Sequence, residues 1–301
     1  LSTRAIQPAV VLALAVTILL WASSFVAVRA VQQGGNYSPV SLALIRYGIA
    51  SLVLLAVARP FGVRLPARAD VPRILASGFL GVALYNGLLN WGQTMMLAGA
   101  ASFIVNTIPL FTALLSMFLL GDRLRPIGLL GMVASFIGIT LIAIGEGKWL
   151  QLNVGAAVIT IAAICWSTTT IIQKPLLQRY RAIEIVSYAI WSGTLMLALV
   201  GWKWLPGVES ATVREHLLVL YLGIFPAALA YVCWAFVLSK LPASRASSFL
   251  YLVPPLATAL EAIILRDRPS TLTLLGGSIA LLGVIVTNTF GRAKAPAPQP
   301  R

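Results

Sequence analysis

The sequence predicts an all-α integral membrane protein: ten transmembrane helices in two inverted five-helix repeats, with both termini cytoplasmic. Three observations carry this expectation. First, the 301 residues are 59% hydrophobic and 10% charged, against roughly 25% charged residues in a soluble domain. Second, the apolar residues fall in runs near the ~20 residues that cross about 30 Å of hydrocarbon. Third, the chain contains one stretch twice. Residues 101–138 read ASFIVNTIPLFTALLSMFLLGDRLRPIGLLGMVASFIG, and a shift of 145 lands without a gap on ASSFLYLVPPLATALEAIILRDRPSTLTLLGGSIALLG. Pro109/Pro254, Asp122/Asp267, Arg123/Arg268, Gly131/Gly276 and Gly138/Gly283 coincide, and the same offset carries Trp21 to Trp166. Composition bias can align two apolar segments, but not the prolines, the Asp-Arg turns and the glycines together. A period this long suits a duplicated half-domain and not a solenoid unit.

The first repeat, 1–147, holds spans at Pro8–Val28, Pro39–Ala58, Ile74–Met95, Ser102–Leu120 and Pro126–Ile144. The second, 148–290, holds Val154–Gln173, Ile185–Leu205, Leu217–Val237, Ser247–Leu265 and Leu272–Phe290. Pro8, Pro39 and Pro126 fit the first helical turn, where a missing N–H is harmless. The first run is too long for a signal-peptide core, ends in Arg29 and is echoed at Trp166, so it reads as a retained span. The tail 291–301, AKAPAPQPR at its end, is Pro/Ala-rich and polar, and reads as a disordered cytoplasmic segment.

Orientation follows from the Lys and Arg in the connections. With the N-terminus inside, the cytoplasmic segments hold fifteen of the 22, the outer segments hold six, and Arg46 lies within a span. Five spans per repeat is an odd number, so the second repeat enters the bilayer upside down. In secondary transporters such inverted repeats place the site at their interface near the midplane. The net charge of +14 is thereby explained by orientation, and no nucleic-acid partner is called for. The expected partners are the lipid bilayer of a plasma (inner) membrane and a small-molecule substrate.

Signatures of soluble enzymes and ATP-driven pumps are missing. The sequence has no GxxxxGK[ST], GxGxxG or HExxH, and the single histidine, His216, has no neighbouring ligand set. Eight acidic residues, mostly in loops, leave little from which to build an acid/base pair. Cys165 and Cys233 lie in apolar runs and read as small buried hydrophobes. No enzyme activity, metal or cofactor is expected.

The informative signal is polar and aromatic residues at helical spacing inside apolar spans, since each is costly against lipid and should face the bundle interior. Asn86, Asn90 and Gln93 form one stripe, with Tyr85 beside it, and the fourth span adds Ser102 and Asn106. Trp21 and Ser24 on the first span correspond to Trp166 and Thr169 on the sixth. Tyr188, Tyr231, Trp234 and Tyr251 supply further aromatics. These are the candidate substrate-binding residues. For the amides the alternative is interhelical bonding, worth ~1–2 kcal/mol at most; for the aromatics it is an interfacial belt. Pro109 and Pro254 break the helical ladder and read as kinks or gating points. Arg46 either meets a substrate anion or satisfies carbonyls of kinked helices. Glu261 either reaches the outer interface or serves as a proton-coupling carboxylate.

The run Leu20-Trp21-Ala22-Ser23-Ser24-Phe25-Val26-Ala27-Val28-Arg29 resembles the first-helix motif of the drug/metabolite transporter superfamily, in its ten-helix EamA-type branch. Leu44-Ile45-Arg46-Tyr47 resembles its second-helix arginine. Pro109, the Gly121-Asp122-Arg123-Leu124 turn and Gly131 to Gly138 resemble its fourth and fifth helices. The second copy departs from the pattern at Trp166-Ser167-Thr168-Thr169 and at Arg266, which replaces the turn glycine. The resemblance implies export of small metabolites or drugs by alternating access. The many aromatics and few intramembrane charges are similar to amino-acid exporters of the YddG type, which implies aromatic or other apolar amino acids as substrates. Phosphate-bearing or lipid-linked substrates, as in other branches, are the alternative, and an intramembrane enzyme or passive pore is a further one.

Overall fold

A computed structural model describes residues 7–120, 125–146, 153–241 and 249–290. Among them every regular element is helical. The turn at Asp122-Arg123, the tail 291–301 and the expected start of the ninth span at Ser247 lie outside the described residues.

Local chemistry sets most boundaries. Helix α1 (Pro8–Gly34) opens with proline in its first turn and closes on Gly35 at φ 78°, whose N–H returns to the Gln32 carbonyl. That left-handed stop is open to glycine without a Cβ penalty. Helix α2 (Pro39–Ala58) is capped by Ser38, which accepts the Ser41 N–H at 3.0 Å. Helix α3 runs over Arg68–Gln93. Helix α4 comes in two pieces, Ala98–Val105 and Ile108–Leu120, followed by α5 (Pro126–Glu146). Helix α6 (Val154–Gln173) matches its expected span and starts at Asn153, which accepts the Gly155 N–H.

Helix α7 (Ala182–Gly201) and the first piece of α8 (Val213–Ile224) begin several residues before the expected Ile185 and Leu217. The reason is capping. Glu184 accepts the Arg181 N–H at 2.8 Å, and Thr212 and Glu215 cap each other reciprocally. Polar residues thus start these helices before the apolar run begins. Helix α8 continues through Phe225–Leu229 and Ala230–Lys240. Helices α9 (Leu250–Ile264) and α10 (Thr271–Phe290) complete the described chain. Among the described residues eight helices are long and apolar enough to cross a membrane, and Leu250–Ile264 and Thr271–Thr287 are shorter apolar helices. Leu12, Leu52, Phe118 and Ile263 point outward with 66%, 68%, 78% and 75% of their surface free, as a lipid-facing wall requires.

The connections sort to two ends. The α2–α3 and α6–α7 connections meet at a basic end, where Arg179 pairs with Asp70 at 3.0 Å and the Ala67 N–H reaches the Tyr180 hydroxyl. At the other end, Gln33 meets Asp267, Asn36 meets Glu215, and Asn153 donates to the Met95 carbonyl. That is the sorting an up-and-down bundle produces.

Packing runs between the repeats. Helix α5 lies on α10, with a Cβ on Gly131 meeting the Gly283 carbonyl at 2.7 Å and one on Gly138 meeting the Gly276 carbonyl at 2.5 Å. As the number rises on one helix it falls on the other, so the two are antiparallel. Under the 145-residue offset Gly131 corresponds to Gly276 and Gly138 to Gly283, so the contact is reciprocal. Helix α3 packs on α6 (Gly81 against Thr169, Gly92 against Ile159), and its repeat-related counterpart α8 packs on α1. Helices α2 and α7 form a further pair, bonded from Ser51 to Thr194 at 2.9 Å.

Two irregularities recur under the same offset. A π-helical segment interrupts α3 at Phe79–Leu84 and α8 at Phe225–Leu229. Helix α4 is interrupted at Asn106 and Thr107, and α9 opens with a 3-10 turn at Leu250–Leu252. Pro109 and Pro254 each sit second in the piece that follows, where proline's missing N–H is tolerated.

Candidate functional site

The π segments and helix breaks surround one aromatic cluster. Trp21 of α1 meets Tyr231 and Trp234 of α8, both with ring centroids at 5.6 Å. Trp166 of α6 meets Tyr85 of α3 at 4.8 Å and Tyr231 at 6.4 Å. Rings from four helices and both repeats therefore converge. The irregular backbone around them is bonded by side chains from the opposite repeat. The Trp21 indole N–H reaches the carbonyl of Pro226 in the second π segment at 3.3 Å. The Ser167 hydroxyl reaches the Ile108 carbonyl, just past the α4 break, at 2.9 Å. Non-helical backbone at membrane depth is tolerated where protein groups meet its freed carbonyls, and π segments concentrate at functional sites.

Tyr47 joins this cluster to the polar stripe. Its hydroxyl donates to Asn86 Oδ1 at 3.0 Å. The Arg46 guanidinium stands 5.3 Å from the Tyr47 ring centroid. Arg46 is 6% exposed. Tyr47 belongs to the site although the polar-stripe pattern passed over it; the adjacent Arg46, an ionisable residue inside an apolar span, was the available pointer.

Of the residues singled out from the sequence, Trp21, Tyr85, Asn86, Trp166, Tyr231 and Trp234 come together here, with Arg46 at their side. Asn90 and Gln93 instead donate to backbone carbonyls of Pro39 and Phe25, binding α3 to its neighbours. Ser24, Thr169 and Asn106 bond carbonyls of their own helices. Tyr188 lies toward the basic end, packed on Ile74 and Leu176 and donating to the Arg64 carbonyl. Tyr251 packs beside Leu114 and Met117. Glu261 is fully buried and accepts the N–H groups of Ala98 and Gly99, both at 2.7 Å, so it caps the first turn of α4 from α9.

The rings of the cluster touch one another, while Trp21, Trp166, Tyr231 and Trp234 keep part of their surface open. Recesses of about 370 and 330 Å³ lie elsewhere, beside Gly35 and Lys203 at one end and along Val133 and Phe136 on the outer wall. Among the described residues no group of His, Cys, Asp and Glu is arranged to hold a metal ion.

Comparison with known proteins agrees with this architecture. The EamA-like transporter family matches the chain twice, over residues 8–144 and 153–289. The chain is 34% identical to a probable terminal-alkyne amino-acid exporter of Streptantibioticus cattleyicolor, over 94% of this chain and 95% of that one. It is 36% identical to the uncharacterized transporter YdfC of Bacillus subtilis, over 89% and 87% of the two chains. A protein of known crystal structure superposes with a TM-score of 0.64 at 21% identity, over 93% of this chain and 96% of that one, which is a likeness of fold. With both halves of the sequence matched and the helical pairs in place, the chain is a multi-pass membrane protein and belongs to the EamA-like transporter family.

Proposed function

We propose that this protein is a secondary transporter that exports small amphipathic metabolites, foremost aromatic or other apolar amino acids, across the plasma membrane. The two five-helix halves, 1–147 and 148–290, would rock about their interface, exposing the aromatic cluster first to one side and then to the other. The observation that carries this reading is the recurrence of the π segments and helix breaks in both repeats around the cluster of Trp21, Tyr85, Trp166, Tyr231 and Trp234. Interrupted helices leave the backbone free to re-aim without dismantling whole spans, which is what alternating access asks of a midplane site. Antiparallel packing of α5 on α10 supports the inverted relation. The ring faces suit a planar or apolar side chain, and the Streptantibioticus relative is named for an amino-acid substrate.

Efflux of radiolabelled phenylalanine, tryptophan, leucine and norvaline from preloaded cells tests the proposal. Expressing cells should lose at least one of these several-fold faster than empty-vector cells. Equal rates across the panel would remove the amino-acid reading.

A further inference from the structure

Arg46 is the point at which the site departs from a purely apolar one. It lies within the span of α2 and is buried, and a guanidinium offers five N–H donors and no acceptor. Among the described residues it has no ion pair, and its Nε has no hydrogen-bond partner. The described acids are all engaged elsewhere. Glu261 and Glu146 hold the N-terminal N–H groups of α4, Asp70 and Glu184 hold Arg179 and Arg181, Glu215 holds Asn36 and Thr212, Glu209 accepts the Gly207 N–H, and Asp267 holds Gln33. Among the described residues no carbonyl of a kinked helix accepts from the guanidinium, which stands over the face of the Tyr47 ring. An unpaired cation at membrane depth is strongly disfavoured. A residue held in that condition beside a substrate cluster marks the place for the missing anion.

We infer that Arg46 is the docking point for a single carboxylate, so that the protein selects substrates bearing one carboxylate on an apolar or aromatic body. This rests on the transport reading above and narrows it. Two observations set the class. The charge stands over the Tyr47 ring, whose hydroxyl bonds Asn86 next to Tyr85, and Tyr85 meets Trp166 at 4.8 Å, so an anion on the guanidinium places its attached body toward the ring cluster. And Arg46 acts alone. The second-repeat residue at the equivalent position is Trp191, whose indole N–H bonds the Ser51 carbonyl at 3.3 Å. Arg29, whose Nε is likewise unpartnered, is held through its Nη1, which donates to the Gln93 carbonyl at 3.0 Å. One guanidinium matches the single charge of a carboxylate, with two parallel N–H···O bonds available. A phosphate ester, at about −1.5 to −2, would need more.

The test compares each apolar amino acid with its carboxamide, which keeps the side chain and the amine but has no carboxylate. Purified protein in proteoliposomes is assayed by exchange of labelled phenylalanine and leucine against unlabelled acid or unlabelled amide. The wild type should prefer acid to amide by about tenfold or more, Arg46→Gln should bring that ratio close to one, and Arg46→Lys should restore part of it. A wild type that exchanges acid and amide equally well overturns the inference and leaves the transport reading standing. A wild type that exchanges neither removes the transport reading. The wild-type ratio decides the matter even should Arg46→Gln fail to give a monodisperse protein. Exchange of phenyl phosphate in preference to phenylpropionate would also overturn it.

Discussion

The two repeats share a scaffold and divide the chemistry. Offset by 145 residues, the tryptophans, the π segments, the interruptions of α4 and α9 and the glycines of α5 and α10 all recur. The chemically demanding residues do not. Arg46 faces an equivalent Trp191, Asn86 an equivalent Tyr231, and Glu261 an equivalent Ser116. The first repeat supplies the cation and the amide stripe, the second the buried glutamate, and both supply rings. What is duplicated is therefore the machinery of helix contact and backbone interruption, and what is unique to one copy gives the site a polar end and an apolar end. A symmetric scaffold carrying an asymmetric site suits an amphipathic cargo.

Substitutions at the shared positions should cause the largest losses. A Cβ at Gly138 would meet the Ala280 nitrogen at 2.4 Å and the Gly276 carbonyl at 2.5 Å, both backbone atoms. Gly138→Leu should therefore abolish folded yield, a loss of about 4 kcal/mol or more, whereas Gly87→Ala, with nothing within 4 Å, should leave the melting temperature of the detergent-solubilised protein unchanged. Next comes a unique position. Glu261→Ala strips two buried N–H groups of their acceptor, and at about 1–3 kcal/mol for each unmet group should lower thermal stability by about 3 kcal/mol. Were Glu261 instead a proton-coupling group, Glu261→Gln would leave exchange intact and abolish only gradient-driven efflux; as a cap, it should weaken stability and both modes together.

Removing a ring from either copy sharpens the comparison. Trp21→Ala and Trp166→Ala should each reduce efflux about tenfold, with folded yield retained by size-exclusion chromatography. Equal losses would mark a shared ring floor, while a loss confined to one would assign the cargo to that repeat. The smallest effect is at Asn86→Ala. It leaves the Tyr47 hydroxyl without its acceptor and should cost about 1 kcal/mol by thermal melting, with a change in Km for acids exceeding that for amides.

Much of this was legible in the sequence because it depends on local pattern. The apolar runs gave the spans, and α6 begins and ends where its run does, at Val154 and Gln173. The duplication was readable because prolines and glycines at packed positions resist replacement. The rings of Trp21 and Trp166 were readable as members of one site because their repeat positions coincide. What escaped depends on partners remote in the chain. Glu261 looked like a free carboxylate until the N-terminal turn of α4, some 160 residues earlier by the spacing of its partners, was placed against it. Asn90 and Gln93 share the stripe of Asn86, but only the positions of the Pro39 and Phe25 carbonyls turn them into interhelical bonds. Tyr188 is an aromatic within an apolar span like those of the site, and the α2–α3 connection claims its hydroxyl. The π segments carry no composition of their own, and Phe79–Leu84 reads as an unbroken helix.

The glycine seam between α5 and α10 has one more implication. Gly131 lies on Gly283 while Gly138 lies on Gly276, and since each is the other's counterpart, a polypeptide ending near residue 146 carries both sides of the joint by itself. Two such half-length chains, inserted head to tail in a bilayer, would close on each other through an identical surface. The assembly would hold two copies of Arg46 and no Glu261, whereas the single chain carries one of each.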